Sequence, residues 1–225
     1  MNEVWSVGPF IVRQSWVALI VIVLLGYYLA NQFFYEMMNS TKKVSEVFWN
    51  GFFAFFVTFQ FSKLILNPAV AIGDPIAVLA TPSGANEWML AWVVMCVYLW
   101  WSTKEDAALN TTVFIKIAGT YLIIETMYYA VFPFNTMEGI VGTNVILMGI
   151  NTLALLFIYI QSKRQETHTR MLGQFLILFG LIKGLLSFFI PIRMLDYSVP
   201  SWFYFMFFIA GLIILSNETK RKEVS

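Results

Sequence analysis

Seven apolar segments separated by short polar connections constrain this chain more than any other feature. They run over about residues 15–34, 47–66, 87–102, 112–132, 139–161, 171–190 and 201–216. A run of about 20 mostly apolar residues crosses a bilayer as a helix, because a helix satisfies its own backbone polar groups in hydrocarbon. The third and seventh segments are short, and Trp88, Trp100, Trp101 and Trp202 at their ends suit aromatic belts. Only 12% of residues are charged, about half of what a soluble domain carries. The sequence predicts an all-α polytopic membrane protein with seven transmembrane helices, a single domain over 1–225 without internal repeats.

Lysine and arginine orient the spans. The amino-terminal segment and the even connections hold only Arg13 and Arg193. The odd connections and the tail hold Lys42, Lys43, Lys104, Lys163, Arg164, Arg170, Lys220, Arg221 and Lys222. The positive-inside rule then puts the amino terminus outside and the carboxyl terminus in the cytoplasm. No cleavable signal peptide is expected, since Met1-Asn2-Glu3 is no positive n-region.

Several function classes drop out. A net charge of +1 gives no basic footprint for nucleic acid. The single Cys96 excludes an internal disulfide, and the single His168 excludes a histidine metal cluster. No metal and no cofactor are expected.

Three lysines fall inside spans: Lys63, Lys116 and Lys183. An ammonium at that depth is costly unless it meets a carboxylate, backbone carbonyls or water, which makes Lys63 and Lys183 candidate site residues. Lys116 lies near the cytoplasmic end of the fourth span and is expected to snorkel. Lys183 sits beside a seam of Gly173, Gly180, Gly184 and Ser187, on which another helix can lie close. Two readings of it stand: a functional cation, or a packing lysine whose stem reaches the outer interface.

Glu125 is the one acid deep in a span, and Tyr121 and Tyr128 or Tyr129 share its helix face. From their cytoplasmic starts, Glu125 and Lys183 lie about 20 and 18 Å up their helices, and Asn144 comes to a similar level. Arg13, Lys63, Asp74, Glu87 and Arg193 lie nearer the outer surface. A polar cavity open to the outer leaflet tolerates this set, and a buried Lys–Glu pair that fixes helix register is the alternative. The connection 67–86, broken by Asp74-Pro75 and Thr81-Pro82, is read as a surface loop, an interfacial segment or a re-entrant lid.

The opening Ser6-Val7-Gly8-Pro9-Phe10-Ile11-Val12-Arg13, and the sixth span's Gly180, Lys183, Phe188 and Phe189, resemble the prolipoprotein diacylglyceryl transferases of bacterial cytoplasmic membranes. That resemblance implies seven spans with the amino terminus outside. It also implies transfer of a diacylglyceryl group from phosphatidylglycerol to a lipoprotein cysteine near the outer leaflet. The family's site residues are mostly replaced. Gln14-Ser15-Trp16 stands for its Trp-Tyr-Gly, and Gln60 lies nearest an arginine's place in Phe59-Gln60-Phe61-Ser62-Lys63. Its histidine would fall near Glu87-Trp88, and its fourth-span signature has no counterpart between Gly119 and Tyr129. The long insertion before the fifth span shrinks to Pro133–Glu138, and Asn144-Val145-Ile146-Leu147 replaces a Gln-Leu-Tyr-Glu pattern. Lys183 stands for an arginine and Ser187 for a glutamate, which keeps a charge and loses the bidentate grip on phosphate.

The leading expectation is a divergent, non-catalytic relative that binds phospholipid, phosphatidylglycerol by the resemblance, or a lipoprotein or membrane-protein partner. Its lipid-binding candidates are Arg13, Lys63, Tyr121, Tyr128, Asn144, Lys183 and Arg193. The second is a lipid- or lipoprotein-modifying transferase with a rearranged site, in which Glu125 acts as base and Lys183 holds an anionic headgroup. The third is a small-solute transporter or sensor, which the absence of repeats and broken helices disfavours.

Overall fold

The computed structural model describes residues 4–7, 10–38, 42–74, 83–131, 141–163, 167–190, 192–195 and 197–224. Eight helices occur among them: α1 Gln14–Met38, α2 Lys42–Leu66, α3 Pro68–Gly73, α4 Ala85–Thr103, α5 Ala107–Val131, α6 Val141–Lys163, α7 His168–Leu186 and α8 Ser201–Val224. Each of the seven apolar segments is carried for most of its length by a helix, and α3 falls in the connection 67–86. Ala107–Val131, Gly142–Lys163, His168–Leu186 and Ser201–Thr219 are long and apolar enough to cross a membrane. These four mark the chain as a membrane-embedded helical protein. The described apolar part of α1, Ala18–Phe33, is shorter.

Two small hairpins complete the described structure. Strands β1 Val4–Val7 and β2 Phe10–Arg13 pair antiparallel, so the stretch before the first apolar segment is extended and paired. Strands β3 Arg193–Met194 and β4 Tyr197–Ser198 form the second hairpin, with Leu195 at φ 57° in its turn.

Helix α7 stops earlier than the apolar run it carries. The amides of Phe188 and Phe189 bond back three residues, to Leu185 and Leu186, so the chain tightens into turns after Leu186. Pro191 lies just beyond and disfavours helical geometry at Ile190. The break between α2 and α3 has a similar cause. Pro68 has no N–H, and the Asn67 amide and side chain both bond the Lys63 carbonyl.

The chain divides into two compact units, 1–39 with 116–160 and 40–115 with 161–225, so the boundaries fall inside α5 and α6. In the first unit, α1 buries Ile22, Gly26 and Ala30 at a four-residue spacing. A side chain at Gly26 would lie 2.6 Å from Ile124 of α5, so glycine permits this approach. Phe33 of α1 meets Tyr159 of α6 with ring centroids 5.7 Å apart.

The second unit joins two antiparallel helix pairs. Along α2 and α4, Gly51 faces Leu99, and Phe55 lies edge-on to Trp88 at 5.0 Å. Along α7 and α8 the backbones come closer. A Cβ on Gly173 would lie 3.3 Å from the Gly211 carbonyl oxygen, and one on Gly180 2.7 Å from that of Tyr204. The small-residue seam read from the sequence is therefore filled by α8.

The unit has two chemically different ends. At one end Lys43 approaches Asp106 at 3.8 Å, Thr111 pairs with Thr169, and Thr167 donates to Glu218 at 2.7 Å. That end carries Lys42, Lys43, Lys104 and Arg170. The other end is formed by the last turn of α2, the first turn of α4, the end of α7, the β3–β4 hairpin and the start of α8.

Candidate functional site

Glu125 is the polar centre of the first unit and is fully buried. On α5 the residues four before and four after it are tyrosines, which a 3.6-residue helix brings onto its own face. The Tyr121 hydroxyl donates to Oε1 at 2.7 Å and the Tyr129 hydroxyl donates to the same oxygen at 3.2 Å. The Asn151 amide of α6 donates to Oε2 at 2.8 Å. Both carboxylate oxygens thus accept from neutral donors, the arrangement that lets a charge sit in a low-dielectric interior. The Asn151 carbonyl oxygen, also fully buried, has no hydrogen-bond partner among the described residues.

The helix face predicted around Glu125 is the one observed, with Tyr129 as the donor beside Tyr121. Tyr128 is buried, with its ring centroid 6.0 Å from that of Tyr129. Asn144 is buried two turns before Asn151 on α6. Sequence reading selected Asn144 and missed Asn151, although a seven-residue spacing put both on one face. Lys116 is 2% exposed, with Nζ 5.9 Å from the Tyr27 ring centroid, so it lies inside rather than snorkelling as expected. Arg13 lies on β2 opposite Val4, and its side chain falls outside the described residues.

The second unit holds the other candidates at one end. Lys63 is in the last turn of α2 and 3% exposed. Lys183 is in the last turn of α7 and fully buried, its Nζ 4.7 Å from the centroid of Phe179 one turn earlier. Full burial is not the snorkelling geometry of a lysine whose stem reaches an interface. Arg193 is half-buried on β3, paired with Ser198. Among the described residues, Glu87 accepts from the Gly84 amide at 2.8 Å as part of the α4 start, and Asp74, just after α3, is exposed.

Beside these cations lies an aromatic cluster. Trp88 stacks on Tyr197 with centroids 4.9 Å apart and planes 21° from parallel. Phe59, one turn before Lys63, is edge-on to Trp88 and to Tyr197, at 5.7 Å each. The Ser83 hydroxyl donates to the Phe59 carbonyl at 3.4 Å, tying the end of the 67–86 connection back onto α2. Residues 75–82 of that connection lie outside the described residues. Sequence reading placed Trp88 in an aromatic belt and near the position of the family's histidine, and missed Tyr197. Nothing in a linear pattern joins residues more than a hundred positions apart.

Glu125 belongs to the first unit and Lys183 to the second. The two candidate regions differ in chemistry: a carboxylate held by neutral donors, and cations gathered beside aromatic rings. Comparison of the chain with protein-family models, with curated proteins and with solved structures returned no match.

Proposed function

We propose that this protein is a phospholipid-binding membrane protein, a non-catalytic and divergent relative of the prolipoprotein diacylglyceryl transferases. In this reading it spans a bacterial cytoplasmic membrane seven times, with its amino terminus outside. The observation that carries the reading is the gathering of Lys63, Lys183 and Arg193 at one end of the second unit, with both lysines nearly or fully buried. An anionic phosphate suits an end that carries three cations, because each cation can add a charge-assisted hydrogen bond to it. Exposed Ile65, Phe188 and Phe189 at the same end provide apolar surface for acyl chains. The orientation rests on the opposite end, whose lysines and arginine follow the positive-inside rule.

Catalysis with Glu125 as base is the weaker reading, because both of its oxygens already accept hydrogen bonds and its side chain reaches no solvent. A partner lipoprotein remains compatible with the lipid-binding reading, since a lipidated protein presents the same glycerolipid.

The test is native mass spectrometry of protein extracted from mixed phosphatidylglycerol and phosphatidylcholine vesicles. Phosphatidylglycerol should be retained selectively, and Lys183→Met and Lys63→Met should each reduce retention by about tenfold, the effect of losing one charge-assisted contact. Equal retention of both lipids by the unaltered protein would sink the proposal. Two companion experiments address its remaining parts. Expression in cells depleted of their own transferase should leave a reporter lipoprotein unlipidated, and full rescue would establish the enzymatic alternative. A cysteine placed by Ser225→Cys should escape an impermeant thiol reagent added outside intact cells, and labelling there would reverse the orientation.

A further inference from the structure

Among the described side chains of the first unit, Glu125 is the one acid and Lys116 the one base. Lys116 lies nine residues earlier on α5, about half a revolution away, with its Nζ against the Tyr27 ring of α1. The remaining titratable groups there are Tyr28 on α1, Tyr121, Tyr128 and Tyr129 on α5, and Tyr159 on α6. Glu125 is therefore the group of this unit suited to exchange a proton, a task that ionisable residues inside membrane spans commonly perform.

The two carboxyl oxygens are not equivalent. Oε1 accepts from Tyr121 and Tyr129, which fills its lone pairs. Oε2 accepts from Asn151 Nδ2 at 2.8 Å. On the other side of that amide, the buried Asn151 carbonyl oxygen has no hydrogen-bond partner among the described residues. An amide bonded on both sides is locked in one orientation, whereas this one takes its orientation from Glu125. An ionised Oε2 calls for a donor, which Nδ2 supplies. A protonated Oε2 calls for an acceptor, and the amide turned by half a revolution puts Oδ1 in nearly the same place. One heavy-atom contact serves both states. Each leaves one polar atom of the amide without a partner, so the turn adds no further cost of that kind.

We propose that Glu125 and Asn151 form a proton-binding site inside the first unit, with the Asn151 amide turning over as Glu125 gains or loses its proton. Uptake forms an Oε2–H bond with a proton drawn from water. The hydrogen bond from Nδ2 to Oε2 breaks, Oε2–H donates to Oδ1, and the carboxyl becomes neutral. Both tyrosines keep donating to Oε1. A substrate needs room beside the carboxyl, but a proton needs only a hydrogen-bonded entry. Tyr121 marks the entry side, since its bond to Glu125 is part-buried and those of Tyr129 and Asn151 are buried. The contact between α5 and α6 is thereby kept whether Glu125 is charged or neutral.

Infrared difference spectroscopy of the full-length protein in vesicles, titrated over the pH range in which the fold persists, tests this site. Acidification should produce one carboxylic-acid carbonyl stretch that is missing from Glu125→Gln. Tyr121→Phe removes a donor from Oε1 and should move the same stretch to higher frequency, which assigns the band even if Glu125→Gln fails to fold. In unaltered protein carrying asparagine isotope-labelled at the side-chain carbonyl, one asparagine stretch should fall in frequency in step with the acid band. If no acid band responds to either substitution, Glu125 stays ionised and the proposal is overturned. An acid band at Glu125 with every asparagine stretch unmoved would overturn Asn151 as the acceptor, and with it the turning amide.

Discussion

The two units bury charge in opposite ways. In the first, Glu125 is surrounded by its own scaffold: two tyrosines from the same helix and an amide from α6 donate to its oxygens. In the second, Lys63 and Lys183 are buried at an end that also carries the cluster of Phe59, Trp88 and Tyr197. The helices differ as well. The contact of α7 with α8 is backbone on backbone at Gly180, whereas Gly149 of α6 has open space where a Cβ would go. A carboxylate whose bonds are supplied from within reads as structure. In the proposed reading, the cations of the second unit serve a ligand instead.

The largest effect that bears on this contrast should come from Glu125→Ala. It strands the donors of Tyr121, Tyr129 and Asn151, the last two buried, and a loss of about 4 kcal/mol in detergent unfolding is expected. Phosphatidylglycerol retention by the folded fraction should be unchanged. A stable variant that had lost its lipid would reverse the assignment of the two units.

Next comes Gly180→Ala. Its Cβ would press on the Phe208 amide nitrogen and lie 2.7 Å from the Tyr204 carbonyl oxygen, where only a backbone shift makes room. About 3 kcal/mol should be lost. Gly149→Ala meets nothing within 4 Å and should instead gain about 0.5–1 kcal/mol by restricting the unfolded chain. Equal melting temperatures for these two variants would show that the tight packing of α7 on α8 is dispensable.

Removing single hydroxyls refines the account of the first unit. Tyr121→Phe should cost about 2 kcal/mol and Tyr129→Phe about 1 kcal/mol, in the order of their 2.7 and 3.2 Å bonds. The reverse order would mean that Tyr129 is the anchor of Glu125. The smallest effect belongs to the exposed pair at the charged end of the second unit. Lys43→Ala should change stability by less than about 0.5 kcal/mol, since its 3.8 Å contact with Asp106 is open to water. Asp106→Ala should cost about 1 kcal/mol, because the same carboxylate also accepts from the Leu109 amide at the start of α5.

The sequence by itself determined that the chain is helical and apolar, where its long helices lie, and that Glu125 shares a face with tyrosines. These properties depend on composition and on the 3.6-residue period, both of which are local. Only the tertiary structure decided that Tyr129, rather than Tyr128, donates to Glu125, and that Asn151 completes the set. A difference of 100° around one helix separates the two tyrosines, and the level at which α6 crosses α5 selects the asparagine. The burial of Lys183 was likewise a matter of rotation. Gly173 and Gly180 set α7 against α8, and the lysine turns inward as a consequence, whereas the apolar run alone allows it to point anywhere around the axis. Trp88 and Tyr197 meet only because a two-stranded hairpin between α7 and α8 returns across the start of α4. No period in the sequence encodes that contact, since it depends on how separate helix pairs pack.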